Sequence, residues 1–166
     1  MYDQGSVSAT ASDSVGDAVV DAVVSTSRVL VAVIARSLSD IGEEVTLTQY
    51  RTLVVLASRG PQSLASLAEA LGVKPATATR MCDRLVKKSL IRRRTLPDNR
   101  RALRVTLTPK GHQLVTTVTD RRRHEIGRIM REIPADEQIV VVQALSRFTT
   151  AAGELPEQDW TTGWDL

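Results

Sequence analysis

SLASLAEALGVKPATATRMCDRLVKKSLI, residues 63–91, spells two helices joined by a short turn. Ser63 is a natural side-chain cap, because its hydroxyl can accept an amide proton that the first helical turn leaves without a partner. Leu64, Leu67, Ala68 and Leu71 then follow the i, i+3, i+4, i+7 rule, and Gly72 stops the helix. Pro75 opens the next helix at a position where a missing amide proton costs nothing. Ala78, Met81, Cys82 and Leu85 fall on its buried side, leaving Ala76, Thr77, Thr79, Arg80, Asp83, Arg84 and Lys87 outward or flanking. Two helices with a short turn, the second basic on its free face, make the helix-turn-helix pattern. The fit is physical: the major groove of DNA is ~12 Å wide and admits one helix, whose first residues meet the base edges.

Downstream, Leu90 to Leu96 and Ala102 to Thr108 have strand character, joined by Pro97, Asp98, Asn99 and Arg100. Leu103, Val105 and Leu107 alternate with Arg104, Thr106 and Thr108, the period of a strand with one buried face. The segment predicts a β-hairpin whose tip carries Arg100 and Arg101. Thr108 and Pro109 start a fifth helix running to about Ile133, and a sixth runs from Asp136 to about Ala152. Upstream, Thr48 is expected to cap a second helix that ends at Gly60 and Pro61. A long first helix is expected from Asp17 to about Ile41, before Gly42. Residues 1–16, rich in Ser, Ala, Asp and Gly, read as a disordered arm. The fold class is mainly α with a small β-wing, a winged helix-turn-helix with about six helices and one hairpin.

Charge adds weight to that scaffold. The formal net charge is only +3, yet residues 74–104 hold eleven Lys or Arg against two acids. Residues 1–48 carry two basic groups against seven acidic ones, and residues 132–166 carry one against seven. A basic centre between acidic ends suits a polyanion, since the ends keep the rest of the molecule off the phosphates. Within the basic run, Arg92, Arg93 and Arg94 also serve to protect an edge strand, and alternation sends some of them away from any one surface. The run Arg121, Arg122, Arg123 reads as solvated or paired with carboxylates.

The remaining residues exclude several classes of function. No Gly-rich phosphate loop, nucleophile motif or acid-base pair marks an enzyme. The single cysteine, Cys82, forms no internal disulfide and reads as a small core residue, with redox sensing as the alternative. His112 and His124 lie off a common helical face, so neither metal nor cofactor is expected. The most apolar window, Ala18 to Ala35, is interrupted by Asp21 and Arg28, which argues against a membrane span or signal peptide and for a cytoplasmic, nucleoid-associated protein.

The order of elements resembles the MarR family of bacterial regulators over roughly Asp17 to Glu154. LTQYRTLVVL (47–56), the helix-turn-helix string above, and RRRTLPDNRRALRVTLTPKG (92–111) carry the likeness. The resemblance implies a homodimer clasped by the first and last two helices, with the fourth helix in the major groove of double-stranded DNA and a wing arginine in the minor groove. It divides the chain into a dimerisation helix (17–46), a DNA-binding domain (47–108), C-terminal dimerisation helices (109–154) and a tail (155–166). The major-groove set is Lys74, Pro75, Ala76, Thr77, Thr79 and Arg80. The phosphate set is Ser63, Arg84, Lys87, Lys88 and Arg94. Arg100 and Arg101 are the wing contacts, and either Asp98 or Asn99 orients the arginine, since the family's aspartate position holds Asn99 here.

The same likeness implies a small anionic or aromatic effector between the DNA-binding lobe and the dimer helices, where Tyr50 is the one nearby aromatic. Trp160 and Trp164 are expected to pack on the partner subunit or stay loose. A winged helix used as a protein-docking or RNA-binding module is the alternative. It has no reason to keep a basic helix beside an arginine-tipped wing.

Overall fold

Side-chain capping sets the starts of three helices in the computed structural model. It describes residues 6–39, 41, 45–96, 99–155 and 160, with side chains for all but 6–14, 96 and 99–102. The elements are α1 (Ser6–Ser39), α2 (Leu47–Arg59), α3 (Leu64–Ala70), α4 (Pro75–Lys87), β1 (Ile91–Leu96), β2 (Asn99–Leu107), α5 (Pro109–Met130) and α6 (Ala135–Ala151). The Ser66 and Gly111 amides donate to Ser63 Oγ and Thr108 Oγ1, each at 3.0 Å, so the expected caps of α3 and α5 form. The cap of α2 is Thr46 rather than Thr48. Gln49 N–H donates to Thr46 Oγ1 at 3.3 Å while Gln49 Oε1 accepts from the Thr46 amide at 3.2 Å. That reciprocal pair satisfies two donors where Thr48 would satisfy one.

Between the helices of the motif, Gly72 sits at φ 63°, and the amides of Gly72 and Val73 donate to Glu69 O and Ala68 O. This left-handed exit turns the chain sharply into α4. The end of α4 repeats the pattern with Ser89 at φ 59°. Ser89 is held there from outside, because Thr108 Oγ1 donates to its carbonyl at 2.7 Å.

The core collects under the motif. Leu53 of α2, Leu67 of α3, Leu85 of α4, Leu90 before the wing, Val105 of β2 and Val118 of α5 are all fully buried. Burial of such a side chain stabilises the fold by about 1.5–3 kcal/mol. Strands β1 and β2 pair antiparallel, with Ile91 opposite Leu107 and Arg94 opposite Arg104, and the register shifts between Thr95 and Leu96. Gln62, in the α2–α3 connection, bridges to the far side of Val105 through hydrogen bonds of 3.1 and 2.8 Å. The wing base is thereby fastened to the motif at a point that sequence periodicity does not reveal.

Helices α1 and α6 behave differently from this core. Val33, Ser37 and Leu38 near the end of α1 are buried and Arg36 pairs with Glu125 of α5, whereas Val15, Val19, Val20, Val23 and Val24 are exposed. No residue of α6 is buried, and Ile139, Val140, Val142, Leu145 and Phe148 face outward. By length and composition Val15–Ser39 is also apolar enough to cross a bilayer, with mean hydropathy 1.9. Helix α1 begins at Ser6, which corrects the expectation of a disordered arm over residues 6–16. The stretch has no proline, and each residue added to an existing helix gains one hydrogen bond. Residues 1–5 lie outside the described set, as does Trp164. Trp160 packs back against the chain's own core, and its Nε1 donates to Leu155 O at 3.2 Å.

Candidate nucleic-acid interface

Helix α4 meets its core through Ala78, Met81, Cys82 and Leu85, all buried. Helical geometry therefore turns Ala76, Arg80, Arg84 and Lys87 onto one outer stripe, and all four are exposed. Lys74, Pro75 and Ala76 are exposed at the leading end, flanked by half-buried Thr77 and Thr79. Thr79 Oγ1 donates to Pro75 O at 3.0 Å. The Ser63 hydroxyl is engaged by the Ser66 amide and the Ser66 hydroxyl at the start of α3.

A cleft of about 370 Å³ separates α4 from the start of α2, lined by Thr46, Thr48, Gln49, Thr77, Arg80, Met81 and Arg84. The free amides of a helix N-terminus and two guanidiniums give it positive potential. No sequence spacing relates the α2 start to Thr77 and Arg80, so the cleft emerges only in the fold.

The one acid on α4, Asp83, does not spoil this surface. Arg93 of β1 reaches across to it, with Nη2 donating to Oδ1 at 2.6 Å. The pair neutralises the carboxylate and ties the wing to α4. Of the three consecutive arginines, then, the middle one faces inward, and Arg92 and Arg94 lie on the opposite face with Arg104. Lys88 is half-buried just past α4, and its carbonyl accepts from Lys110 Nζ at 3.3 Å.

Asn99, Arg100 and Arg101 are described in backbone only, as part of β2, so the expected groove contacts of Arg100 and Arg101 fall on side chains outside the described set. Asp98, one of the two candidates for orienting the wing arginine, is also outside it.

Cys82 is 1 % exposed. Burial pushes its thiol above the ordinary range and outweighs Arg93, which pulls it down, while Asp83 adds to the rise. A thiol in that state has little thiolate to react, which weighs against the redox-sensor alternative. Among the described residues no group of three His, Cys, Asp or Glu comes together to hold a metal ion.

Further from the motif, a cavity of about 600 Å³ lies between the end of α1 and the second half of α5, lined by Arg36, Ser37, Arg121, His124, Glu125 and Arg128. Arg121 thus lines a cavity, where the sequence suggested a run that is solvated or paired with carboxylates. One of its terminal nitrogens is buried without a hydrogen-bond partner. Tyr50 is 3 % exposed, so its ring belongs to the core and offers no face to an effector.

Fold and surface together define a winged helix-turn-helix protein with a cationic reading helix. A family model described as the MarR family matches residues 45–103. The crystal structure of RV1404 from Mycobacterium tuberculosis superposes with a TM-score of 0.78 at 44% identity, covering 84% of this chain and 95% of that one. A MarR family protein from Bacillus stearothermophilus gives a TM-score of 0.77 at 16% identity, over 86% of this chain and 98% of that one, and so shares the fold. Among curated proteins, the HTH-type transcriptional regulator YhbI of Bacillus subtilis (strain 168) is 38% identical over 72 residues, 43% of this chain and 47% of that protein. The matched region therefore spans about half of that relative's length. The chain belongs to the MarR family, whose members are DNA-binding transcription regulators and not enzymes.

Proposed function

We propose that this chain is a cytoplasmic, nucleoid-associated homodimeric repressor that reads a pseudo-palindromic operator and occludes a promoter. The observation that carries the reading is the outer stripe of α4: Arg80, Arg84 and Lys87 exposed together, with the only acid of the helix neutralised by Arg93. Lys74, Pro75, Ala76, Thr77, Thr79 and Arg80 read bases, while Ser63, Arg84, Lys87, Lys88 and Arg94 hold phosphates. Arg100 and Arg101 enter the minor groove and sense its width.

Dimerisation is supported by the apolar surface left open on α1 and α6, since a helix such as α6 with no buried residue gains stability only by packing on something else. The same surface gives a use for the hydropathy of Val15–Ser39 other than a membrane, because the last turns of that helix are packed on α5 and ion-paired through Arg36. Two α4 helices one DNA turn apart, ~34 Å, then meet successive major grooves.

For an effector, the cavity lined by Arg36, Ser37, Arg121, His124, Glu125 and Arg128 sets three arginines against one carboxylate, which Arg36 engages; that balance suits a small anion, and the size falls within the ~300–1,000 Å³ of ligand pockets. An anion there would select one spacing of the two heads and release DNA.

The test is fluorescence anisotropy with a 30-base-pair duplex in increasing KCl. Neutralising some six to ten phosphates costs about 10³–10⁵ in affinity between 50 and 200 mM salt. Affinity that ignores salt, or preference for a protein partner over DNA, would refute the reading.

A further inference from the structure

We propose that Arg104 joins Arg94, which it opposes across the wing, so that the two clamp a single backbone phosphate of DNA between them. The inference rests on the DNA-binding reading above.

Ladder register carries the argument. Arg94 of β1 lies directly opposite Arg104 of β2, and the neighbouring pair on the same face is Arg92 with Thr106. Directly opposed residues of an antiparallel pair have Cβ atoms only ~5 Å apart, and like charges so placed destabilise the strands. Arg92 has a partner, since its Nε donates to Thr106 Oγ1 at 3.4 Å. Among the described residues no carboxylate lies within ion-pair distance of Arg94 or Arg104. The middle arginine of the β1 run shows what a purely structural guanidinium does here: Arg93 turns to the other face and takes Asp83.

Edge protection does not account for the pair. Strand β1 is the open edge, so charge on Arg92 and Arg94 would guard it, but β2 has β1 on one side and the Gln62 bridge on the other. Arg104 guards nothing. Two guanidinium forks with no carboxylate partner among the described residues, fixed by the register at one level of the hairpin, match an oxyanion that takes hydrogen bonds from both. On the DNA-binding reading the backbone phosphate is that anion, and the contact needs no base sequence.

The experiment uses the full chain and a fluorescein-labelled, random-sequence 30-base-pair duplex, with affinity measured from 50 to 300 mM KCl. Arg104→Gln and Arg94→Gln are each expected to flatten the plot of log affinity against log salt by about one unit per engaged head. Arg104→Lys keeps most of the slope. Arg131→Gln, which removes the same charge at the end of α5, leaves it unchanged. Without DNA, Arg104→Gln is expected to melt 1–2 °C higher than wild type at low salt, a shift on the order of one relieved like-charge pair, and this gain vanishes at 0.5 M KCl.

Wild-type slope in Arg104→Gln, or equal flattening in Arg131→Gln, overturns the clamp. A lower melting temperature in Arg104→Gln overturns it too, because the arginine would then be serving the fold. Wild-type protein that shows no salt-dependent binding removes the DNA reading itself, and the clamp with it, before any variant is compared.

Discussion

Gly111 has no room for a side chain, and that fact links the helix α5 to the reading head. A Cβ built on Gly111 would lie 2.0 Å from the Leu90 carbonyl oxygen, 3.0 Å from its carbon and 3.2 Å from Leu107 Cδ2. The nearest atom is backbone, and relief requires the α5 start and the wing base to separate by roughly 1.4 Å to reach ordinary contact. Such a shift breaks the 3.1 Å bond from the Thr108 amide to Leu90 O and disturbs the Thr108 cap, whose hydroxyl accepts from Gly111 and donates to Ser89. The lost bond is worth ~1 kcal/mol, the cap ~1 and the overpacking strain ~1–3. Against these, alanine in a helix gains ~1 kcal/mol over glycine.

Gly111→Ala is therefore expected to destabilise by about 3 kcal/mol, a fall in Tm of roughly 10 °C for a chain of this size. Scanning calorimetry at one fixed protomer concentration measures it. Gly127→Ala is the internal comparison: a Cβ there meets only the Arg131 guanidinium at 3.9 Å, so that variant should equal or exceed wild type. Gly111→Ala melting within 2 °C of wild type would refute the close approach and the coupling built on it.

Two further outcomes follow from buried and titrating groups. Cys82 should react with a thiol reagent in the folded protein at least a hundredfold more slowly than after unfolding, and Cys82→Ser should cost about 1–3 kcal/mol by burying a hydroxyl; rapid labelling would restore the redox alternative. Stability should fall in acid in two windows. Burial lowers the His112 pKa, so its contribution is whole above the unfolded value of ~6.5 and is lost as pH drops through the folded one. The hydrogen bonds from Arg51 lower the Glu154 pKa, so that contribution is whole above ~4.3 and is lost further down. The second window is shallow, because the pair is partly exposed and worth ~0–1 kcal/mol. Glu154→Gln should erase it, and an unchanged acid limb would show that the pair contributes nothing.

The helix-turn-helix was legible because its signals are local: Ser63, Gly72 and Pro75 act within one turn of where they stand, and the apolar spacing of Ala78, Met81, Cys82 and Leu85 names the buried side directly. The start of α2 was misplaced by choosing Thr48 over Thr46, when the reciprocal partner Gln49 fits only the latter. What sequence could not show is non-local. The Gln62 bridge joins residues that no periodicity relates, and the Arg93–Asp83 pair depends on how the wing crosses α4. Three arginines in a row look alike on paper, and only the ladder register separates the structural one from the other two. Helix α1 is legible as a helix, whereas the exposure of Val19, Val20, Val23 and Val24 among the described residues emerges only in three dimensions.

The central claim is that two cationic heads, held by one clasp, read the same side of a duplex. Selecting bound fragments from genomic DNA and aligning them tests it most directly. The account predicts a shared pseudo-palindrome with half-sites ~10 base pairs apart, centre to centre. Enriched fragments with a single half-site, or no enrichment above input, would contradict it.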